Sequence, residues 1–155
     1  MEELKHYVVL LDDELDRRLK FSVYSRLAQL SLERDDLDGA RASFEAAAEL
    51  NEEDINTVAF LRDIAVREER WKDAVDFSRV EMQSAEDGDE RRTHFDRIER
   101  ILRDELDDEE GAVDALKTAA ELSPTDLNLQ LRLLEHYEDA KNWEEYLGVA
   151  VGLMN

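Results

Sequence analysis

The chain has 155 residues, of which 41 are acidic and 20 basic, and its formal net charge at pH 7 is −21. This balance argues against binding to nucleic acid or to anionic membranes, because both need a compensating basic patch. Apolar residues make up 43% of the chain, which is enough for a core and argues against general disorder. There is no cysteine, so disulfides, thiolate metal sites and cysteine nucleophiles are excluded.

No apolar run approaches the roughly 20 residues that a membrane helix needs. The chain begins Met1-Glu2-Glu3, without the basic start and apolar stretch of a secretion signal. We therefore expect a cytoplasmic protein. Its acidic surface is expected to be solvated, and a basic partner or mimicry of nucleic acid is the alternative.

Helix-forming residues dominate, with one proline and five glycines, and the pattern predicts an all-α fold. Apolar residues recur at helical spacing and indicate nine helices of ~12–15 residues each. In chain order, their apolar stripes fall at 4–15, 24–30, 40–48, 58–65, 74–77, 95–106, 112–122, 127–137 and 143–150.

Polar breaks between the stripes mark the turns. Asp36 or Asp38, and later Asp54, are expected to cap helices. The sequence 123–126, Ser-Pro-Thr-Asp, is the clearest turn and cap. The longest break, 84–89, contains Gly88, and the widest loop is expected there.

Residues 38–54 are echoed 72 positions later, at 110–126, which indicates an internal duplication. The identical pairs within this stretch are Gly39/Gly111, Ala40/Ala112, Ala47/Ala119, Ala48/Ala120, Glu49/Glu121, Leu50/Leu122 and Asp54/Asp126. The same offset also pairs Asn56 with Asn128 and Trp71 with Trp143. A finer period lies inside this offset, because Ala74 follows Ala40 by 34 positions and Ala112 follows Ala74 by 38 positions. We assign the four extra positions to the loop around Gly88.

A 34-residue period filled by two helices resembles the tetratricopeptide repeat (TPR). The family pattern has a large residue and a leucine three positions apart on the first helix, and Ala-x-x-x-Phe on the second. The first copy has Tyr24 and Leu27, then Ala40 and Phe44. The other copies are less complete, and read Val58, Leu61 and Ala74; Phe95, Ile98, Ala112, Leu116 and Pro124; and Leu134, Tyr137 and Tyr146.

The resemblance implies an α-solenoid of antiparallel helix pairs, a TPR-like superhelix. We expect one domain over 1–155, with a leading helix at 1–20 and repeat units at 21–54, 55–88, 92–126 and 127–155. A longer array, of which this sequence is a fragment, is the alternative. Small residues such as Ala40 would let the helices of a unit approach closely, and Phe44 or Leu116 would fill the space between units.

The resemblance also implies a non-catalytic scaffold or adaptor, whose first helices line a concave groove for a peptide or partner helix. Carried over by position, the groove residues are Arg26, Gln29, Asn56, Asp63, Arg67, Arg97, Arg100, Asn128, Arg132 and Glu135. Two alternatives stay open: a structural or regulatory subunit that assembles through the apolar C-terminal end, including homo-oligomers, and a module appended to an enzyme.

Other candidate sites are weaker. The stretch from Arg34 to Glu45 approaches a calcium loop but has arginine at the first ligand position. His6, His94 and His136 have no partner at metal-ligand spacing. No nucleophile motif or phosphate loop is present, so we expect neither a cofactor nor enzymatic activity.

Five arginines, Arg91, Arg92, Arg97, Arg100 and Arg103, cluster on one predicted helix. They are suited to hold an acidic peptide. The alternative is that acid-before-base pairs four positions apart, such as Glu99 with Arg103, only stabilise the helix.

Overall fold

The computed structural model describes residues 17–51 and 54–154, and every regular element in these ranges is helical. The eight α-helices are α1 (Arg17–Leu32), α2 (Leu37–Leu50), α3 (Ile55–Arg67), α4 (Trp71–Ser84), α5 (Gly88–Arg100), α6 (Glu109–Leu122), α7 (Leu127–Asp139) and α8 (Trp143–Met154). A π-helical segment, Ile101–Glu105, continues α5. The all-α prediction is confirmed. The predicted leading helix lies outside the described residues except for 17–20, which form the first turn of α1.

Aspartate side chains begin five of the helices. The caps of α2, α3, α5, α6 and α7 are Asp36, Asp54, Asp87, Asp108 and Asp126, and each carboxylate accepts a hydrogen bond from a backbone N–H of the first turn. Such a cap satisfies a donor that the helix itself leaves unpaired, and its charge complements the positive end of the helix dipole. The predicted caps at Asp54 and Asp126 are confirmed, and Asp36 rather than Asp38 caps α2.

These caps explain why glycine recurs at the equivalent positions 39 and 111. The carboxylates of Asp36 and Asp108 accept from Gly39 N at 2.9 Å and from Gly111 N at 2.8 Å. A Cβ built at either glycine would collide with the capping carboxylate. Glycine therefore lets the carboxylate lie directly over the first turn.

The turn inside each helix pair has the same backbone conformation. Asp35, Glu69, Asp107 and Lys141 have φ values of 59°, 55°, 51° and 53°, in the left-handed region that non-glycine residues seldom adopt. Each lies two positions before the first residue of the second helix in its pair. Successive members of this set are separated by 34, 38 and 34 positions along the chain. The first two intervals equal those between Ala40, Ala74 and Ala112, so the turn conformation repeats with the period of the sequence.

The assignment of the four extra positions to the Gly88 loop is wrong. The turn before α5 is as short as the others, whereas α5 with its π-helical extension spans residues 88–105. The corresponding helices α3 and α7 have 13 residues each. The extension ends with Leu106 N donating to Ile101 O at 3.1 Å. The insertion was therefore absorbed by widening and lengthening a helix.

The described chain divides into two compact units, one ending at Phe77 and the other beginning at Ser78. In the first, the core contains Ala28, Ala40, Phe44, Leu61 and Ile64, all buried. The ring of Phe44 on α2 stacks on that of Phe60 on α3, with centroids 4.8 Å apart and planes 11° from parallel. The small side chain of Ala40 and the large one of Phe44 thus have the packing roles that the repeat pattern predicted.

In the second unit, the core is formed by α5 with its extension and by α6 and α7. Phe95, Ile98 and Leu102 are buried, as are Ala112 and Leu129. A buried polar contact fixes α7 on α6, where Gln130 Nε2 donates to Ala120 O at 2.8 Å. This bond satisfies a backbone carbonyl and a side-chain amide that would otherwise be buried at a cost.

Candidate protein-interaction surface

The ten predicted groove residues all lie on the first helices of the pairs, α1, α3, α5 and α7. Eight of them are exposed, and the other two, Arg97 and Arg132, are half-buried and contact acidic residues of the protein. On each helix the predicted residues are spaced to share a face. The spacing is i, i+3 on α1 and α5, i, i+7, i+11 on α3, and i, i+4, i+7 on α7.

In the first unit this surface is polar and of mixed charge. Arg26 Nη1 on α1 donates to Gln29 Oε1 at 3.4 Å. On α3, Asp63 Oδ1 lies 3.1 Å from Nη2 of the buried Arg62, while Asn56 and Arg67 are exposed. The side chains on this surface therefore include amides, a carboxylate and guanidinium groups.

In the second unit, Arg132 joins α7 to α5. Its guanidinium forms a hydrogen-bonded ion pair with Glu99 and lies over the ring of Phe95, 5.1 Å from the centroid. Phe95 is fully buried, so the guanidinium covers the edge of the core while its charge is balanced. Arg132 therefore has a packing role in addition to its position on the predicted groove.

A second ion pair lies near the N-terminal end of α7. Arg92 Nε on α5 donates to Asp126 Oδ2 at 3.0 Å, and its Nη2 contacts the same oxygen. The other carboxylate oxygen accepts from the N–H groups of Asn128 and Leu129. The Arg92 guanidinium, together with these N–H donors, holds the pKa of Asp126 below its usual value. The hydrogen bond to Asp126 in turn raises the pKa of Arg92.

Arg97 belongs to a charged cluster between α5 and the C-terminal part of α4. Its Nη1 lies 3.4 Å from Glu81 Oε2 and 3.2 Å from His94 Nδ1. The Glu81 side chain is only 4% exposed, so the arginine balances a carboxylate that would be costly to bury alone. The guanidinium of Arg97 is thus engaged inside the protein.

Most of the five clustered arginines, which lie on α5 and its π-helical extension, are engaged in the same way. Arg91 donates to Ala85 O at 2.6 Å and to Leu122 O at 2.8 Å, where α4 and α6 end. Arg103 pairs with Glu99 at 3.6 Å, as predicted, and with Glu109 at 2.9 Å. Arg100 is exposed, and no ion pair of its side chain is found within residues 17–51 and 54–154. Most of these arginines therefore stabilise the helical packing.

Sequence reasoning missed the acidic partners of these arginines. Glu81 was not singled out, Glu99 was predicted only as a partner of Arg103, and Asp126 was predicted only as a cap. A usable signal was present, because Asp126 follows Arg92 by 34 positions and Arg132 follows Glu99 by 33 positions. Opposite charges about 34 positions apart, on successive first helices or at their caps, can come close in space, just as charges four positions apart lie on neighbouring turns of one helix.

The remaining candidate sites that the structure describes have structural roles. Asp36, in the stretch that approaches a calcium loop, is the cap of α2. His94 lies in the Glu81 cluster, and the ring of His136 packs against Tyr137 with centroids 5.7 Å apart. His6 lies outside the described residues. In the part of the chain that the structure describes, no helix combines the length and apolar character needed to cross a membrane.

An open cleft of about 620 Å³ lies in the second unit between the start of α5 and the turn before α7. Its lining includes Arg91, Arg92, Ser123, Asp126 and Asn128. Both arginines are bonded within the protein, as described above. Of the ten predicted groove residues, Asn128 is the one that lines this cleft.

Comparison with known proteins gives similarity at the level of the fold. No family model and no curated protein matches this sequence. Among solved structures, the chain is similar to MamA in two crystal structures. The first has a TM-score of 0.51 and 13% sequence identity, and the match covers 86% of this chain and 70% of MamA. The second has a TM-score of 0.51 and 11% sequence identity, and the match covers 97% of this chain and 82% of MamA. YrrB, a TPR protein with an unusual peptide-binding site, has a TM-score of 0.46 and 21% identity over 84% of this chain and 65% of its own. The predicted fold class, a solenoid-type assembly of helix pairs, is confirmed.

Proposed function

We propose that the chain is a degenerate TPR array that acts as a non-catalytic scaffold, binding extended peptides through exposed residues of the first helices in each unit, α1 and α3 in the first and α5 and α7 in the second. The proposed units are 21–54, 55–88, 92–126 and 127–155. The recurrence of the left-handed turn residues at intervals of 34, 38 and 34 positions supports the array. The placement of all ten predicted residues on first helices, with amides and unburied charges among them, is the observation that carries the binding role.

The chemistry of the surface favours recognition of a peptide main chain. Arg97 and Arg132 are occupied by acidic residues of the protein itself, so the predicted residues left for a ligand are three amides and five charged side chains. Asn56 and Asn128 occupy equivalent positions in the duplication, and both are exposed. An asparagine amide has both a donor and an acceptor, which suits the N–H and C=O groups of an extended peptide.

Charged side chains on the same surface would add selectivity. Arg26, Arg67 and Arg100 are exposed, as is Asp63. Exposed charges of this kind contribute to orientation and association rate more than to affinity. The proposed ligand is therefore a peptide of mixed charge, in contrast to the strongly acidic peptide that the arginine cluster suggested.

The test begins with peptides selected from a random library against the wild-type chain. Affinities are then measured by isothermal titration calorimetry for Asn56→Ala/Asn128→Ala and for Arg100→Ala. We expect the double substitution to weaken binding about tenfold or more, because each lost amide leaves peptide groups unpaired. Gln83→Ala is the matched control, since Gln83 is an exposed amide on a second helix.

Equal effects of Gln83→Ala and of the double substitution would contradict the proposed surface. Selection of no peptide, or of peptides whose binding is unaffected by all these substitutions, would remove the groove from the hypothesis. Circular dichroism of each variant would establish that the helices are retained, since all three amides are on the surface.

A further inference from the structure

We infer that the exposed apolar face of α7 and α8 is a second docking surface, for an amphipathic partner helix whose apolar stripe is bordered by lysine or arginine. We call this surface the terminal apolar face. It comprises Leu127 and Leu131 on α7 and Trp143, Leu147 and Met154 on α8. It does not depend on the groove proposed above.

The terminal apolar face is formed by large side chains that are mostly in contact with water. Exposed fractions are 64% for Leu127, 61% for Leu131, 55% for Trp143, 61% for Leu147 and 77% for Met154. The spacing is i, i+4 on α7 and i, i+4, i+11 on α8, so each set follows one side of its helix. None of the residues of α8 is buried. A row of large apolar side chains of this kind marks an interaction site.

The internal duplication allows the exposure of these residues to be compared with that of their equivalents on α4. Leu147 and Met154 correspond, 72 positions earlier, to Val75 and Met82 of α4. Those residues are only 4% and 1% exposed. The same positions on a second helix are therefore covered in one copy and open to water in the other.

The helix that follows α4 shows how such a face is covered within the second unit. Arg91 of α5 donates to Ala85 O just beyond the end of α4, and Arg97 of α5 pairs with Glu81. Met82, between these contacts in the sequence, is buried. α5 thus combines buried apolar residues, including Phe95 and Ile98, with arginines that satisfy carbonyl and carboxylate oxygens near the end of α4.

Charge around the terminal apolar face fits an occupant of the same type. From residue 127 to 154 there are five acidic residues and two basic ones, Arg132 and Lys141, and Arg132 is already paired with Glu99. Glu138 continues the row of Leu127 and Leu131, and Glu144 follows Trp143 directly. Two copies of this face packed together would bring like charges into contact, which is costly when they are desolvated. A partner helix with a basic border would instead be attracted.

The experiment uses three synthetic helical peptides, each of about 18 residues or roughly five helical turns. One has a leucine stripe with lysine borders, one has the same stripe with glutamate borders, and one has the first composition in scrambled order. Binding to the full chain is measured by fluorescence anisotropy at about 150 mM salt and again at high salt, where exposed charges are screened. We expect tight binding only of the lysine-bordered stripe, with the affinity retained in part at high salt.

The protein variants keep the net charge constant. Leu131→Ser/Leu147→Ser removes two central side chains of the face and is expected to weaken binding about tenfold or more. Leu19→Ser is the matched control, because Leu19 is an exposed leucine on α1, and it is expected to change affinity less than about twofold. Asn56→Ala/Asn128→Ala is also expected to bind the peptide normally, which separates this surface from the groove.

Four results would overturn the inference. If the scrambled peptide binds as tightly as the lysine-bordered one, the apolar stripe is irrelevant. If the glutamate-bordered peptide does so, the charge of the border is irrelevant. Unchanged binding by Leu131→Ser/Leu147→Ser would exclude the face itself. A mass in sedimentation equilibrium that rises with concentration, and that the double substitution abolishes, would assign the face to a second copy of this chain.

Discussion

Replacing Phe44 by alanine is expected to destabilise the first unit by about 4 kcal/mol. The phenyl ring is 1% exposed and stacks on Phe60 at 4.8 Å. Losing on the order of 150 Å² of buried apolar surface costs about 4 kcal/mol at roughly 25 cal/mol per Å². Losing the stacked pair adds about 1 kcal/mol, and partial collapse of the cavity offsets part of the total. Against a total stability of about 5–15 kcal/mol for a typical domain, this loss is large.

The chain offers a direct assay, because Trp71 begins α4 in the first unit and Trp143 begins α8 in the second. In a Trp143→Phe background, urea unfolding followed by the fluorescence of Trp71 reports on the first unit. Phe44→Leu reproduces the leucine found at the equivalent position, Leu116, and is expected to cost about 1.5 kcal/mol or less. Leu19→Ala at an exposed position is expected to change stability by less than about 0.5 kcal/mol.

A loss of less than about 1.5 kcal/mol for Phe44→Ala would refute this reasoning. It would mean that Phe60 and its neighbours move to fill the space. The packing of α2 against α3 would then be far more adaptable than the stacked geometry implies, because rigid surroundings leave a cavity that must be maintained.

Gly39→Ala is expected to leave stability almost unchanged in urea unfolding, since the gain of about 1 kcal/mol in helix propensity is offset by displacement of the Asp36 cap. In α8, a Cβ at Gly148 would meet nothing within 4 Å, so Gly148→Ala is expected to stabilise its helix by the full propensity difference. Equal effects on stability at the two glycines would contradict the role assigned to the Asp36 cap. In Arg92→Gln, the pKa of Asp126 measured by NMR titration is expected to rise toward its usual value. Because this pKa is lowered in the folded protein, the ionised carboxylate stabilises the fold above its ordinary pKa of about 4, and the contribution is lost as the pH falls through the lowered pKa. An unchanged pKa in the variant would show that the backbone donors alone are responsible.

Much of the fold could be predicted because its signals are local. Aspartate before an apolar stripe predicted caps that depend only on the first helical turn, as at Asp54 and Asp126. The 34-residue period predicted paired helices, since Ala40 and Phe44 need partners of complementary size. The four extra positions were misplaced because glycine and acidic residues at 84–89 indicate a loop, whereas the π-helical segment at 101–105 has no comparable local signal.

The candidate surface was harder to predict than the fold. All ten predicted residues are on first helices, and that placement needs only the repeat register. Whether a charge is available to a ligand depends on its neighbours in space, and these come from a different repeat unit of the chain. Arg97 and Arg132 looked like ligand-binding groups in the sequence, but Glu81 and Glu99 occupy them.

By itself, the sequence determined the helical class, the caps and the 34-residue period, because these follow from side-chain spacing and from contacts within a turn or two. Only the tertiary structure decided which charges neutralise one another and which apolar residues are covered. Met82 and Met154 occupy equivalent positions in the duplicated sequence, yet one is 1% and the other 77% exposed. The physical reason is that burial depends on the helix packed alongside, which the residue's own segment does not encode.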